Sequence, residues 1–597
     1  MSDLNLGVIG NCAYSALIDP QGRIVWCCLP RFDGDPVFAD LLNDGAAASP
    51  RRGGRFEIVL DGLSRCEQRY LDNTAVLVTR LASADGSALE ITDFAPRFML
   101  HGRQYRPLMI VRRIRPLAGR PRITLRLRPV FGYGASEPVV TRGSNHARYV
   151  GPQDTLRLTT NAPVSYVIGE TPFLLEGPLT LLLGPDESVP ESPLELGERF
   201  FDKTVEYWRE WVRTLAVPLD YQKQVVRAAI TLKLCSYEET GAIIAAMTTS
   251  IPEAPNTGRN WDYRYCWLRD AFFVVHALNR LGTVGIMENY LRYLRNIVAN
   301  SRDGHLQPVF GIGLEEHLIE RQEEALAGYR GMGPVRVGNQ AHEHHQHDVY
   351  GDVILATTQA FFDERLLRPA GEADFYQLEA VGEQAFRLHD QPDAGMWELR
   401  TMAKIHTSSS LMCWAACDRL AKIAAHLGLS ARAGYWAERA QLIHARICER
   451  AWNAERNSFV DAFDGENLDA SLLLMAEVNF LPPHDPRFVG TVEAIGRELL
   501  RGRHMFRYAA ADDFGTPETA FNICTFWYIQ ALAAIGRRDE ARVIFEEVLA
   551  RCNHIGLLSE DLDPVTGELW GNYPQTYSLV GMIYCAMRLS RRWEDVL

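Results

Sequence analysis

Over the first two hundred residues, apolar side chains come in short β-branched blocks or at every second position. Residues 55–60 (RFEIVL), 75–81 (AVLVTRL), 108–114 (LMIVRRI), 123–127 (ITLRL) and 179–183 (LTLLL) read as strands separated by Gly, Pro, Asp and Asn turns. Asp19-Pro20-Gln21-Gly22 has the composition of a hairpin turn. Many short strands at this spacing predict an antiparallel β-sandwich over residues 1–197. From residue 198 the period changes: Phe200, Phe201, Val205, Trp208 and Trp211 fall on one face of a helix, which predicts a linker helix over 198–216. Beyond it, helical periodicity marks twelve segments, near 222–239, 267–282, 283–301, 347–364, 371–390, 406–428, 429–453, 469–481, 485–501, 518–536, 537–553 and 575–595. Short punctuation such as Leu281-Gly282 and Leu427-Gly428-Leu429 makes neighbouring segments antiparallel hairpins. Six such pairs would close as an (α/α)6 barrel over 217–597. Segments 303–343 and 501–517 are too long for plain connectors and are where a site would be built.

Composition narrows the partners. A net charge of −13, a pI near 5.7 and no long Lys/Arg run argue against nucleic acid or an anionic membrane and suit a neutral substrate. The start, MSDLNLGVIGNCAYSALIDP, lacks the basic and apolar regions of a signal peptide, and no apolar run is long enough to span a bilayer, so the chain reads as cytoplasmic. The 12 cysteines form no CxxC pair, which fits reduced core thiols better than a disulfide frame.

The most informative stretch is 259–271, RNWDYRYCWLRDA. It crowds Trp261, Tyr263, Tyr265 and Trp267 against Asp262, Arg264, Arg269 and Asp270. Buried charges need partners whereas rings favour leaving water, so such a mixture reads either as a pocket wall or as an aromatic helix start whose Arg and Asp pair with each other. A sugar fits the first reading, its C–H faces lying on rings and its hydroxyls meeting charged partners. Two acidic loops follow. In 393–400, DAGMWELR, Glu398 stands directly after Trp397 and is a candidate general acid; beside an indole, a carboxyl tends to keep its proton. In 555–578, IGLLSEDLDPVTGELWGNYPQTYS, Glu560 is a candidate base, with Asp561 and Asp563 close enough to raise its pKa. Two carboxyls on opposite sides of a sugar pocket are what glycoside hydrolysis requires. The cluster AHEHHQHDVY offers His342, His344, His345 and His347; His344 and His347 would share a face if the segment were helical, but the residues read more simply as pocket rim or helix start, with no metal.

These motifs, together with GYRGMGPVRVGNQA at 328–341 and IGNCAYSALIDPQGRIVWCCLPRFD near the start, resemble glycoside hydrolase family fifteen along nearly the whole chain. That resemblance implies a β-sandwich, a linker helix, an (α/α)6 catalytic barrel, and single-displacement hydrolysis of an α-glucoside with inversion and without a cofactor. Carried over residue by residue, Glu398 matches the general acid and Glu560 the general base. Arg269 and Asp270 match the clamp on the non-reducing glucose in subsite −1, which Tyr263 and Trp267 line; Trp397 flanks the acid, and Arg507 with Tyr508 matches an Arg-Tyr element near the leaving group. Fungal members place a second Glu after the acid, where this chain has Leu399, so a polar contact near subsite +1 is lost. The implied activity is exo-hydrolysis of α-glucans or oligosaccharides in the manner of a glucoamylase, the alternative being hydrolysis of the disaccharide α,α-trehalose. A carbohydrate-binding protein on the same scaffold is the non-enzymatic alternative.

Overall fold

The computed structural model describes residues 2–45, 49 and 52–596. Two antiparallel sheets form the N-terminal part. The larger runs in the order Val139–Arg142, His146–Val150, Thr155–Thr160, Leu179–Pro185, Ile110–Ala118, Ala88–Phe94, Leu77–Ser83, Leu63–Tyr70. The other is built on Gly7–Gly10, Ser15–Ile18, Ile24–Cys28, Arg55–Leu60, Arg122–Arg128 and Phe173–Leu174, with Pro36–Phe38 paired to Ile24–Cys28. Alternation explains the layers. In Arg55–Leu60, Phe56, Ile58 and Leu60 point inward to meet Leu81, Ile91 and Ile114 of the facing sheet, which is the core of the sandwich. The turn forecast at residues 19–22 is present, closed by Gly22 N–H donating to Asp19 O, with Gly22 at φ +77° where a side chain would be strained.

The linker helix spans Pro193–Arg213, with Pro at its first turn where a missing N–H costs nothing. Leu196, Phe200 and Val205 pack on Val76, Phe94, Val111 and Leu182, covering the outer face of the larger sheet, and Trp208 enters the helical core.

The twelve forecast helical segments close into two concentric rings. Contacts run from Leu268–Arg280 to Asp348–Thr358, Thr407–His426, Ala470–Met475, Asn522–Ala534 and Thr576–Leu589, then back to Leu268–Arg280, which makes the inner ring. Gln222–Leu234, Val284–Asn300, Glu372–Leu388, Ser430–Arg450, Pro486–Leu499 and Arg538–Ala550 alternate with them on the outside. Sequence reflects this: Asn522–Ile529 is buried at every position, as befits a helix walled on all sides, whereas Ser430–Arg450 buries only Trp436, Ala440, Ile443 and Ile447. One segment departs from expectation. The eighth is a single 3-10 stretch, Ala470–Met475, followed by turns that lead to a left-handed Asn479 (φ +62°) and then to Pro482-Pro483, so the helix forecast over 469–481 is cut short. The chain here is only long enough to complete the ring.

Sandwich and barrel share polar contacts as well as core. Trp26 Nε1–H donates to Met247 O at 2.8 Å, Arg97 pairs with Glu238, and Asn553 Nδ2–H donates to Leu4 O at 3.0 Å. The 12 cysteines are free thiols, most of them buried. Among the described residues, no helix is long and apolar enough to cross a membrane.

Candidate active site

The loops that precede the inner-ring helices meet at one end of the barrel and enclose a cavity with about 840 Å³ of empty space, counting solvent at its mouth. Glu398, Glu560, Tyr263, Trp267, Arg269, Asp270, Trp397 and Arg507 all line it. Among the described residues, every lining residue comes from position 245 onward, so the sandwich supports the pocket from outside.

The stretch 259–271 divides its side chains between two sides. Backbone bonds from Ala245 N–H to Tyr265 O and from Ala246 N–H to Tyr263 O, and pairing of Cys266–Trp267 with Val309–Phe310, hold it extended. Alternate residues then face opposite ways. Asp262 and Arg264 are fully buried and bonded to each other at 2.7 and 2.9 Å; Arg264 also reaches Gly34 O and the Tyr133 hydroxyl on the sandwich. For this pair the mutual-pairing reading of the sequence holds. Tyr265 is likewise structural, its hydroxyl accepting Gly338 N–H at 3.2 Å. Tyr263 and Trp267 turn into the cavity, their rings edge to face at 5.3 Å.

These two rings connect the glutamates. The Tyr263 hydroxyl donates to Glu560 Oε1 at 2.6 Å, and Trp267 Nε1–H donates to Glu398 Oε1 at 2.5 Å. Gln346 Nε2–H adds a second bond to the same Glu398 oxygen at 3.2 Å, and Arg269 Nη2 stands 3.7 Å from it. Each glutamate thus has one oxygen held. Glu398 Oε2 has no hydrogen-bond partner among the described residues, and Glu560 Oε2 is buried and unpartnered. Glu398 sits at φ +63°, a left-handed conformation that costs a residue with a side chain about 1–2 kcal/mol; it follows the tight turn at Gly395 (φ +65°) that brings the carboxyl to the wall.

The indole that serves Glu398 is therefore that of Trp267, distant in sequence. Trp397 turns away, donating its Nε1–H to Asp469 at 2.7 Å and packing on Phe521 and Trp527. Arg507 lines the cavity, its guanidinium bound to Glu253. Tyr508 lies outside the lining, its hydroxyl donating to Asp512, which does line the cavity.

Electrostatics distinguishes the carboxyls. Burial, and then the charges of Asp561 and Glu253, push Glu560 well above the usual carboxylate range, while the Tyr263 hydrogen bond and Arg507 draw it back. Burial also raises Tyr263, which stays a protonated donor at any working pH. At the closed end, Arg269 bridges Gln346 (3.2 Å), Asp348 (3.5 Å) and Asp270 (3.4 Å), and burial lifts Asp270 to about 6. Among the described residues Asp270 Oδ2 and Asp348 Oδ1 have no hydrogen-bond partner, which leaves acceptors beside a guanidinium, a pattern suited to sugar hydroxyls.

The histidines do separate things. Residues 340–343 are a 3-10 turn and the helix starts only at Asp348, so His344 and His347 share no helical face. His344 lines the cavity, lowered by burial; His347 is buried behind it, lowered to about 4 by burial, its backbone N–H on Asp393; His345 packs against His305. Gln346 and Asp348 were the informative residues in this segment, masked by the histidines around them. Glu253, set between prolines in IPEAP, was a further signal, since an acid in an apolar Pro-flanked turn needs a partner.

Comparison with known proteins agrees with this architecture. Residues 220–587 match the model of glycosyl hydrolases family 15, and residues 5–171 match a trehalase-like N-terminal domain. The chain is 31% identical to a trehalase of Thermoplasma volcanium over 98% of its own length and 93% of that protein's. It is 32% identical to a trehalase of Mycobacterium tuberculosis over 97% of its own length and 88% of that protein's. A bacterial glucoamylase complexed with acarbose superposes with a TM-score of 0.69 over 98% of this chain and 94% of that one, at 12% identity, which speaks to the fold alone. Matched to the family model across its helical barrel, this protein is a member of glycosyl hydrolases family 15.

Proposed function

We propose that the protein hydrolyses α,α-trehalose by single displacement with inversion. The observation that carries a hydrolytic reading is that two glutamates, each with one oxygen held and the other free, face one ring-lined cavity. Preference for trehalose over an α-glucan rests on relatives named trehalase that align with both the sandwich and the barrel.

In this reading Arg269 and Asp270 hold one glucose at the closed end, and Glu398 delivers its proton from Oε2 to the glycosidic oxygen. Trp267 and Gln346 donate to Oε1, which disfavours a proton there and directs it to the other oxygen. As the C1–O bond breaks, water attacks C1 from the opposite face and gives its proton to Glu560. The attacked glucose leaves as the β anomer, whereas the leaving glucose keeps its α configuration. Positive charge developing at C1 lies among carboxylates, so the site stabilises the transition state more than the neutral ground state. The test is glucose release by the purified protein from trehalose, maltose, isomaltose and longer α-glucans. Release chiefly from trehalose is expected; a preference for long glucans, or no release from trehalose, contradicts the reading.

A further inference from the structure

Three loops are tied together over the mouth of the cavity. The Asp513 carboxylate takes the backbone N–H of Arg400 and the Thr401 hydroxyl, and Thr401 N–H lies 3.2 and 3.3 Å from its two oxygens. Next to it, Asp512 accepts both Nη1–H and Nη2–H of Arg259 at 2.8 and 2.6 Å, and Phe514 N–H at 2.8 Å. Arg400 lies 4.3 Å over the Trp261 ring, which also meets the edge of Phe514 at 5.1 Å, and the Arg400 guanidinium is fixed by Glu320 at 2.9 Å. Thus the segment 501–517 is strapped to the loop carrying the general acid, two residues beyond Glu398, and to the start of the 259–271 wall.

The direction of the substrate gives this strap a meaning. With one glucose held by Arg269 and Asp270, and the glycosidic oxygen at Glu398 Oε2, the leaving sugar must extend past Glu398 toward Arg400. There it meets Arg400, Asp513, Phe514 and His344, all of which line the cavity. Asp513 has both oxygens committed to protein donors, so its part is to hold the wall in place; a carboxylate accepting backbone N–H groups makes strong charge-assisted bonds. We infer that the Asp513 strap closes the leaving-group side into a compartment for a single hexose, making Asp513 a specificity-determining residue that excludes chains longer than a disaccharide. This deepens the trehalose reading and rests on it.

The experiment compares kcat/KM of wild type, Asp513→Ala and Asp513→Asn on trehalose, maltose and maltopentaose, with melting temperature as a check on folding. In Asp513→Ala the trehalose-to-maltopentaose ratio is expected to fall at least tenfold, with maltopentaose cleavage held or raised. Asp513→Asn keeps one acceptor oxygen and should fall between. An unchanged ratio, or an equal loss on every substrate, overturns the strap as a selector and leaves it only structural. The two readings fail separately: a wild-type protein inactive on trehalose refutes the trehalose assignment, while the maltose-to-maltopentaose ratio still reports on the strap.

Discussion

Removing one hydroxyl tests how the base is held. In Tyr263→Phe the ring remains against Trp267, but Glu560 loses the hydrogen bond at 2.6 Å, and its other oxygen has no partner to compensate. A hydrogen bond to a charged group is worth about 1.5–3 kcal/mol, or about 10- to 150-fold in rate if the transition state loses all of it. The sign follows from the groups around Glu560. Burial, Asp561 and Glu253 already favour its protonated form, and the Tyr263 hydroxyl is among the few contacts opposing them. Without it the ionised base is harder to form, so the acidic limb of the pH–rate profile moves to higher pH. The assay is kcat for trehalose across the pH range, with wild type alongside. On the acidic limb the variant should fall by the full factor, and on the plateau by less. A uniform loss at all pH values, or a limb that stays put, refutes the view that this hydroxyl supports an ionised Glu560.

Other expectations follow from the same geometry. Glu560→Gln should lower kcat by about 10²–10⁴-fold yet raise the melting temperature at neutral pH. Because its folded-state pKa lies above the unfolded value, Glu560 stabilises the fold at low pH and loses that contribution as pH rises through the folded value, a dependence the amide removes; scanning calorimetry against pH reads this directly, and an unshifted or lowered melting temperature at neutral pH counts against it. Gln346→Leu should reduce kcat about tenfold, on the scale of one net hydrogen bond, because it removes one of the two donors to Glu398 Oε1, and should also raise KM, because it takes an acceptor from Arg269 of the glucose clamp; steady-state kinetics showing a KM effect alone would count against a role for Gln346 on the acid. In Gly395→Ala the new Cβ would stand 2.7 Å from the His406 ring at φ +65°, so activity should fall with a destabilisation of about 1–2 kcal/mol or more from the backbone alone; wild-type kcat in this variant would show that the turn does not set Glu398.

Much of this was legible in the chain because two periodicities dominate it. β-branched alternation marked Arg55–Leu60 and most of Arg122–Arg128 as strands, which the fold then pairs, and 3.6-residue spacing found all twelve members of the two rings. Which helices form the inner ring was less visible, although Asn522–Ala534, apolar all round, already has the signature of a fully walled helix. The eighth member was forecast too long because the apolar content of 470–481 runs on past Met475, where the helical stretch ends. At the site, the glutamates stood out through their motifs, but their partners did not. Trp397 is adjacent to Glu398 in sequence and turned away in space, while the tryptophan that bonds the acid stands far earlier in the chain. Hydrogen bonds across a ring of loops leave no spacing pattern, so the partners of Gln346 and Glu253 and the Asp513 strap became visible only in the fold. Tyr508 shows the converse, a motif residue whose neighbour Arg507 reaches the cavity while its own hydroxyl holds Asp512 from behind.

The most direct measurement is proton and carbon-13 NMR of the glucose anomers formed in the first moments of trehalose hydrolysis, before mutarotation, in water enriched in oxygen-18, the C1 signal of each anomer reporting the label. Glu398 and Glu560 acting from opposite faces of one anomeric carbon must produce equal amounts of α- and β-glucose, with the label confined to the β product. Formation of α-glucose alone, or label in the α anomer, would contradict the account.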